Sequence, residues 1–233
     1  MNNLKESSLF SIVAALFVAI LIISNIASTK IISGWGFLFD GGTILFSLSY
    51  IFGDILTEVY GYARARLIIW VGFFSLVLMS VVLLIIQYLP SAPDWGNQIA
   101  YETILGFVPR LVVASIVAYW CGSFVNSYVL SKLKIITTGK YLWVRTIGST
   151  ILGEGVDTVI FSVIAFWSVI PLASLLNLIF TIYVMKVGIE VVFTPITYWV
   201  VAKLKKIENI DTYDSGINYN PFKIGSKKRE VGS

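Results

Sequence analysis

Six stretches of this chain have the length and apolar character of membrane helices, roughly residues 8–29, 41–60, 65–89, 107–131, 146–170 and 173–202. A helix needs about 20 mostly apolar residues to cross ~30 Å of hydrocarbon, where each backbone polar group must be satisfied within its own segment. The expected fold is therefore all-α: a polytopic membrane protein with six transmembrane helices in residues 1–204, followed by a basic tail over 205–233. With 57% of residues hydrophobic and 13% charged, the chain carries more apolar surface than a soluble domain of this size can bury. The run from Leu9 to Ile23, preceded by Lys5, has the outline of a secretory signal. It is long, however, and ends in polar residues without a small-x-small cleavage site, so it reads as a retained first helix.

Orientation follows from the seventeen Lys and Arg residues, which collect on the cytoplasmic side of short loops. With the N-terminus inside, Lys5, Arg64, Arg66, Lys132, Lys134, Lys140, Arg145 and seven residues of the tail all fall inside, while Lys30 and Arg110 fall outside and Lys186 lies within a span. Both termini are thus expected in the cytoplasm. The net charge of +4 is explained by this bias beside an anionic lipid surface, so the expected partner is the bilayer and not a nucleic acid. The longest external connection, PSAPDWGNQIAYETILGFVP, carries Trp95, Tyr101 and Phe107 and suits a short interfacial helix.

Against this background the acidic residues stand out. Asp54 and Glu58 lie in the second expected span, and Glu154 and Asp157 in the fifth. A carboxylate in hydrocarbon costs at least ~2.5 kcal/mol, so such groups face a polar cavity or a partner. Helical spacing puts Tyr50, Asp54, Thr57, Glu58 and Gly61 on one stripe, and Glu154, Asp157, Thr158 and Phe161 on another. The sixth span adds Lys186 and Glu190, four residues apart, before Pro195. These two can neutralise each other within one helix, or Lys186 can reach a carboxylate on the second or fifth span. Glu58 has a simpler partner in Arg64 or Arg66, one to two turns further on.

The halves of the chain are weakly alike. Gly53-Asp54 follows Asn25 by 28 residues, and Gly153-Glu154 follows Asn126 by 27. A duplication with an odd number of spans per half gives a 3+3 inverted repeat, which brings the second and fifth spans toward a common axis. Chance placement of Gly and Asn near helix ends is the rival explanation.

Several activities are excluded by what is missing. The chain has no histidine and one cysteine, Cys121, which removes histidine-based zinc sites, Ser-His dyads and an internal disulfide. No resident cofactor or metal is expected. No Walker A loop is present, so ATP coupling would need a separate ATPase module. An intramembrane aspartyl protease needs two aspartates, but Ile51 stands where the first glycine of G-x-G-D belongs at Asp54.

The block GGTILFSLSYIFGDILTEVYGYARARLIIWVGF, preceded by SNIASTK, and the later LWVRTIGSTILGEGVDTVIFSVIAFW resemble the queuosine precursor transporter family, also called the vitamin uptake transporter family. The resemblance runs from about residue 20 to residue 200, and its most specific part is D-x-x-x-E-x-Y-G-Y-x-R-A-R, Asp54 to Arg66. It implies a multi-pass inner (plasma) membrane protein, not an enzyme, that imports 7-cyano-7-deazaguanine or 7-aminomethyl-7-deazaguanine for tRNA modification. A guanine-like edge offers N1–H and an amine to one carboxylate, and its O6 needs a donor such as Asn25, Asn126 or Lys186; Tyr50, Tyr60 or Phe161 can stack on the ring. The expected substrate-binding set is Asn25, Tyr50, Asp54, Glu58, Asn126, Glu154, Asp157, Phe161, Lys186 and Glu190. Protons are a candidate coupling ion, and the oligomeric state is not legible. The alternatives are a binding subunit for another vitamin or nucleobase, energised by an ATPase, and a scaffold without cargo.

Overall fold

The computed structural model describes residues 8–136 and 142–208; at positions 8, 54, 57, 58, 62, 63, 123, 124, 126–128, 130–136, 142–146 and 149 it describes the backbone alone. The elements in chain order are α1 (Ser8–Ala27), β1 (Ile31–Gly34), β2 (Phe37–Asp40), α2 (Thr43–Tyr60), α3 (Tyr62–Tyr88), α4 (Gln98–Leu105), α5 (Val108–Ile136), α6 (Leu142–Phe166) and α7 (Leu172–Glu208). Each expected span coincides with one long helix, and the connection between α3 and α5 contains the short helix α4. Among the described residues, four stretches are apolar and long enough to cross a membrane: Leu9–Ala27, Arg64–Tyr88, Gln98–Gly122 and Leu172–Glu208. Within α2 the described apolar stretch is shorter, Thr43–Gly53, and the side chains at 54, 57 and 58 lie outside the described residues. The chain is thus a largely helical protein suited to a membrane. Helix α7 runs to Glu208 with Lys205 and Lys206 in its last turn, so the first residues expected in the tail continue the helix; residues 209–233 lie outside the described residues.

The all-α expectation fails at one place. Between α1 and α2 the chain forms an antiparallel hairpin in which Ile31 faces Asp40 and Gly34 faces Phe37. Its two-residue turn, Trp35–Gly36, has φ of 50° and 82°, the left-handed geometry that matches the twist of a tight hairpin. The hairpin docks on α7: Asn177 Oδ1 accepts from the Leu38 N–H at 2.9 Å, and Asn177 Nδ2 donates to the Gly36 carbonyl at 3.0 Å.

A second difference concerns Gly61. It was expected on the stripe of α2, but it is the single residue between α2 and α3, with φ of 86°, a conformation open to glycine at little cost. The sharp reversal presents Arg64, whose guanidinium lies 5.6 Å from the centre of the Phe10 ring, and the buried Arg66 in the first turn of α3.

Packing divides the interior into two apolar clusters. One joins α1, α2, α3 and the start of α5, around Phe17, Leu56, Val59 and Leu76; the other joins α5, α6 and α7, around Leu111, Phe166, Leu178 and Ile182, with Leu38 and Phe39 of the hairpin against it. The most extensive helix pair is α5 with α6. There, a Cβ on Gly122 would stand 2.9 Å from both the Asp157 Cβ and the Gly153 carbonyl oxygen, so only glycine permits the approach. Arg110 at the start of α5 donates to the carbonyls of Ile164 and Trp167, both at 2.7 Å, satisfying the end of α6 and fixing the two helices antiparallel.

Candidate functional site

A polar cavity lies among α1, α2, α5, α6 and α7, lined by Asn25, Ser28, Asp40, Thr43, Phe46, Ser115, Phe161, Ile182 and Lys186. One end of it is built around Asp40, which closes the hairpin just before α2. Asp40 Oδ1 accepts from Ser28 Oγ at 2.5 Å and from the Gly42 N–H at 2.9 Å, and Oδ2 accepts from Thr43 Oγ1 at 2.8 Å. A buried carboxylate with three donors is satisfied in place, and it ties α1, the hairpin and α2 together. Gly41 and Gly42 make this closeness feasible, since a Cβ on Gly42 would collide with Ser28 Oγ and the Ser24 carbonyl. Beside this knot, Asn25 Nδ2 donates to the Leu21 carbonyl, and its Oδ1 accepts from Ser115 Oγ at 3.0 Å.

The other end holds the ionic centre. Lys186 on α7 donates to Asp157 Oδ2 and lies 3.3 Å from Glu154 Oε2. All three side chains are buried, at 4%, 2% and 5% exposure. The two acids are three residues apart on α6, so one helical face presents both to the same ammonium. Lys186 Nζ is also 4.9 Å from the centre of the Phe46 ring and 5.8 Å from that of Tyr50, the geometry of cation–π attraction. Asp157 Oδ1, Thr158 Oγ1 and Ser162 Oγ are buried with no hydrogen-bond partner. The cavity between these ends is so narrow that it admits about one water molecule. Any larger ligand must widen it.

Of the expected site residues, Tyr50, Glu154, Asp157 and Lys186 come together as one group, and Asn25 and Phe161 line the cavity they face. Asn25 has its amide engaged by Leu21 and Ser115, so it acts first as a tie between α1 and α5. The choice left open for Lys186 is resolved in favour of the fifth expected span. Glu190, one turn along α7, is half-buried and close enough to Glu154 to add its negative charge. Asp54 and Glu58 sit on α2 and Asn126 on α5, but their side chains lie outside the described residues. Asp157 faces a lysine, which removes the paired-aspartate chemistry that a protease needs.

Sequence reasoning missed Ser28, Asp40, Thr43, Phe46 and Ser115. The signal for two of them, Asp40 and Thr43, was present in FDGGT: an aspartate before two glycines and a helix start is the pattern of a capped, closely packed turn.

Residues 40–200, from Asp40 through the whole ionic centre, match the family described as "Putative vitamin uptake transporter". The chain is similar to the "Probable queuosine precursor transporter" of Bacillus subtilis (strain 168), 29% identical over 177 residues, which is 75% of this chain and 77% of the relative. It is also similar to the "Queuosine precursor transporter" of Escherichia coli (strain K12), 28% identical over 132 residues, 57% of each chain. No solved structure matches the chain. The family match spans most of the chain and takes in both the buried charges and the hairpin's anchoring aspartate, and the relatives are transporters, not enzymes: the chain belongs to the vitamin uptake transporter family.

Proposed function

We propose that this protein imports queuosine precursors, 7-cyano-7-deazaguanine or 7-aminomethyl-7-deazaguanine, across the inner (plasma) membrane for tRNA modification, as a six-span protein with both termini in the cytoplasm. The observation that carries the reading is the buried Asp157–Lys186 pair, with Asp157 Oδ1 unbonded, beside Phe46 at the end of a polar cavity. A deazaguanine edge meets these needs: its N1–H and exocyclic amine are donors for the carboxylate, its O6 is an acceptor for the ammonium, and its flat ring fits between Phe46 and Phe161. The names of the relatives support the same cargo. The narrow cavity corresponds to an occluded form that opens to admit substrate, and the weak likeness of the two halves supports an inverted-repeat motion around the centre.

The test is growth of cells lacking both queuosine synthesis and their own importer, supplied with each precursor at low concentration, with queuosine measured in tRNA. Expression of this chain is expected to restore queuosine, and Asp157→Asn at equal membrane abundance is expected to lose most of that restoration. A well-expressed wild-type protein that restores nothing overturns the reading.

A further inference from the structure

We propose that Glu154 is the proton-binding residue of this transporter, and that one proton enters with each neutral substrate molecule because substrate and Glu154 compete for the same ammonium, Lys186 Nζ. The inference rests on the import reading and adds its energy source.

The geometry of the centre is unequal. Lys186 donates to Asp157 Oδ2, whereas its contact with Glu154 Oε2 is longer, 3.3 Å. One ammonium thus holds one acid firmly and the other loosely, and Lys186 is the residue of the three that lines the cavity. Its Nζ stands 4.9 Å from the centre of the Phe46 ring, which lines the same cavity, so the ammonium is placed to donate to a substrate carbonyl oxygen there. The charges around Glu154 make the loose contact decisive. From α6 it faces Asp157, from α7 Lys186 and Glu190, and Tyr50 of α2, backed by Tyr119 of α5, borders the same centre. Asp54 and Glu58 are also on α2, with side chains outside the described residues. Of the charged groups that act on Glu154, Lys186 is the cation and Asp157 and Glu190 are anions.

When a substrate oxygen draws Lys186 Nζ into the cavity, Glu154 loses its counter-ion while Asp157 keeps its own. An ionised carboxylate left buried without a partner is strongly disfavoured. Glu154 then takes a proton from hydronium on the loading side: an O–H bond forms on the carboxylate and water is left behind. When substrate departs on the other side, Lys186 returns, the O–H bond breaks and the proton passes to water there. Substrate binding raises proton affinity, and by reciprocity protonation raises substrate affinity.

The full chain is reconstituted in liposomes containing a pH-sensitive dye, with the membrane potential clamped at zero and the cyano precursor as probe. Wild type is expected to accumulate precursor about tenfold for each unit of pH gradient, acid outside, the ratio for one proton per molecule, and added precursor is expected to acidify the lumen. Whatever exchange rate Glu154→Gln retains is expected to be flat in pH and to move no protons. If that variant is inactive, Glu154→Asp, which keeps a titratable carboxylate at a shorter reach, is expected to retain exchange that follows the pH gradient, and exchange by it that ignores the gradient overturns the assignment. Wild-type exchange of labelled precursor that ignores the pH gradient, or accumulation by Glu154→Gln, overturns the coupling while leaving import intact. Absence of any wild-type exchange overturns the import reading and the coupling with it.

Discussion

At the scale of the residue, Lys186 is the side chain on which most depends. It is the cation between two buried acids, and removing one partner of a buried ionic group leaves the others uncompensated, at a cost of about 3–5 kcal/mol. Lys186→Met is therefore expected to lower the melting temperature of the detergent-solubilised protein sharply. The triple variant Lys186→Met, Asp157→Asn, Glu154→Gln is expected to recover much of that stability without recovering transport. A single variant that melts like wild type would show that the three charges are not coupled. The acids and the lysine were legible because charges inside apolar runs are conspicuous. Which acid Lys186 would meet was not, since Glu190 offers an equally good spacing along α7 and only the packing of α6 on α7 decides between them. Asp40 was hidden for a different reason: it stands between two expected spans, where a carboxylate raises no energetic question until the hairpin buries it.

At the scale of the element, the six long helices follow from hydrophobic length alone, which is why their positions were readable. The hairpin was not readable in this way. IISGWGFLFD has no clean alternation, and its stability comes from Asn177 across the bundle and from Leu38 and Phe39 packing against the α5–α6–α7 cluster, contacts that local pattern does not encode. Asn177→Leu is accordingly expected to raise amide hydrogen exchange from Leu38 through the turn while leaving α7 protected; unchanged exchange in the hairpin would mean that apolar packing alone holds it. The α5–α6 seam gives a second prediction at this scale. Gly122→Val places atoms where Asp157 and the Gly153 carbonyl already stand, so it is expected to abolish folded protein in size-exclusion profiles. Gly188→Ala, at a helical glycine with open space around its Cβ position, is expected to be neutral or to add up to about 1 kcal/mol of stability from helix propensity.

At the scale of the whole molecule, the question is how many helices cross the bilayer. Among the described residues, the stretches long and apolar enough to cross do not include α2 or α6, several of whose side chains lie outside the described residues, and these two helices carry the acidic pairs. The tertiary contacts nevertheless run them back and forth. Asp40 joins the end of α1 to the start of α2, and Arg110 joins the start of α5 to the end of α6, so each of these neighbours reverses direction. Helix α6 is about 37 Å long at 1.5 Å per residue, enough to span, and its acids are turned to Lys186 and away from lipid. Six crossings and four crossings make opposite statements about two loops. The native Cys121 is the single cysteine, so single cysteines can be placed in a Cys121→Ser background at the hairpin tip (Trp35→Cys), after α3 (Asp94→Cys), between α5 and α6 (Thr138→Cys) and in the tail (Ser226→Cys). With six crossings, an impermeant maleimide added to intact cells modifies positions 35 and 94, and reaches 138 and 226 only after permeabilisation. With α2 and α6 failing to cross, 94 becomes internal and 138 external, while 35 and 226 stay as they were. Positive-inside bias favours the first pattern, because Lys132, Lys134, Lys140 and Arg145 flank position 138. Labelling of position 138 from outside would overturn the six-span arrangement and, with it, the placement of the ionic centre within the membrane.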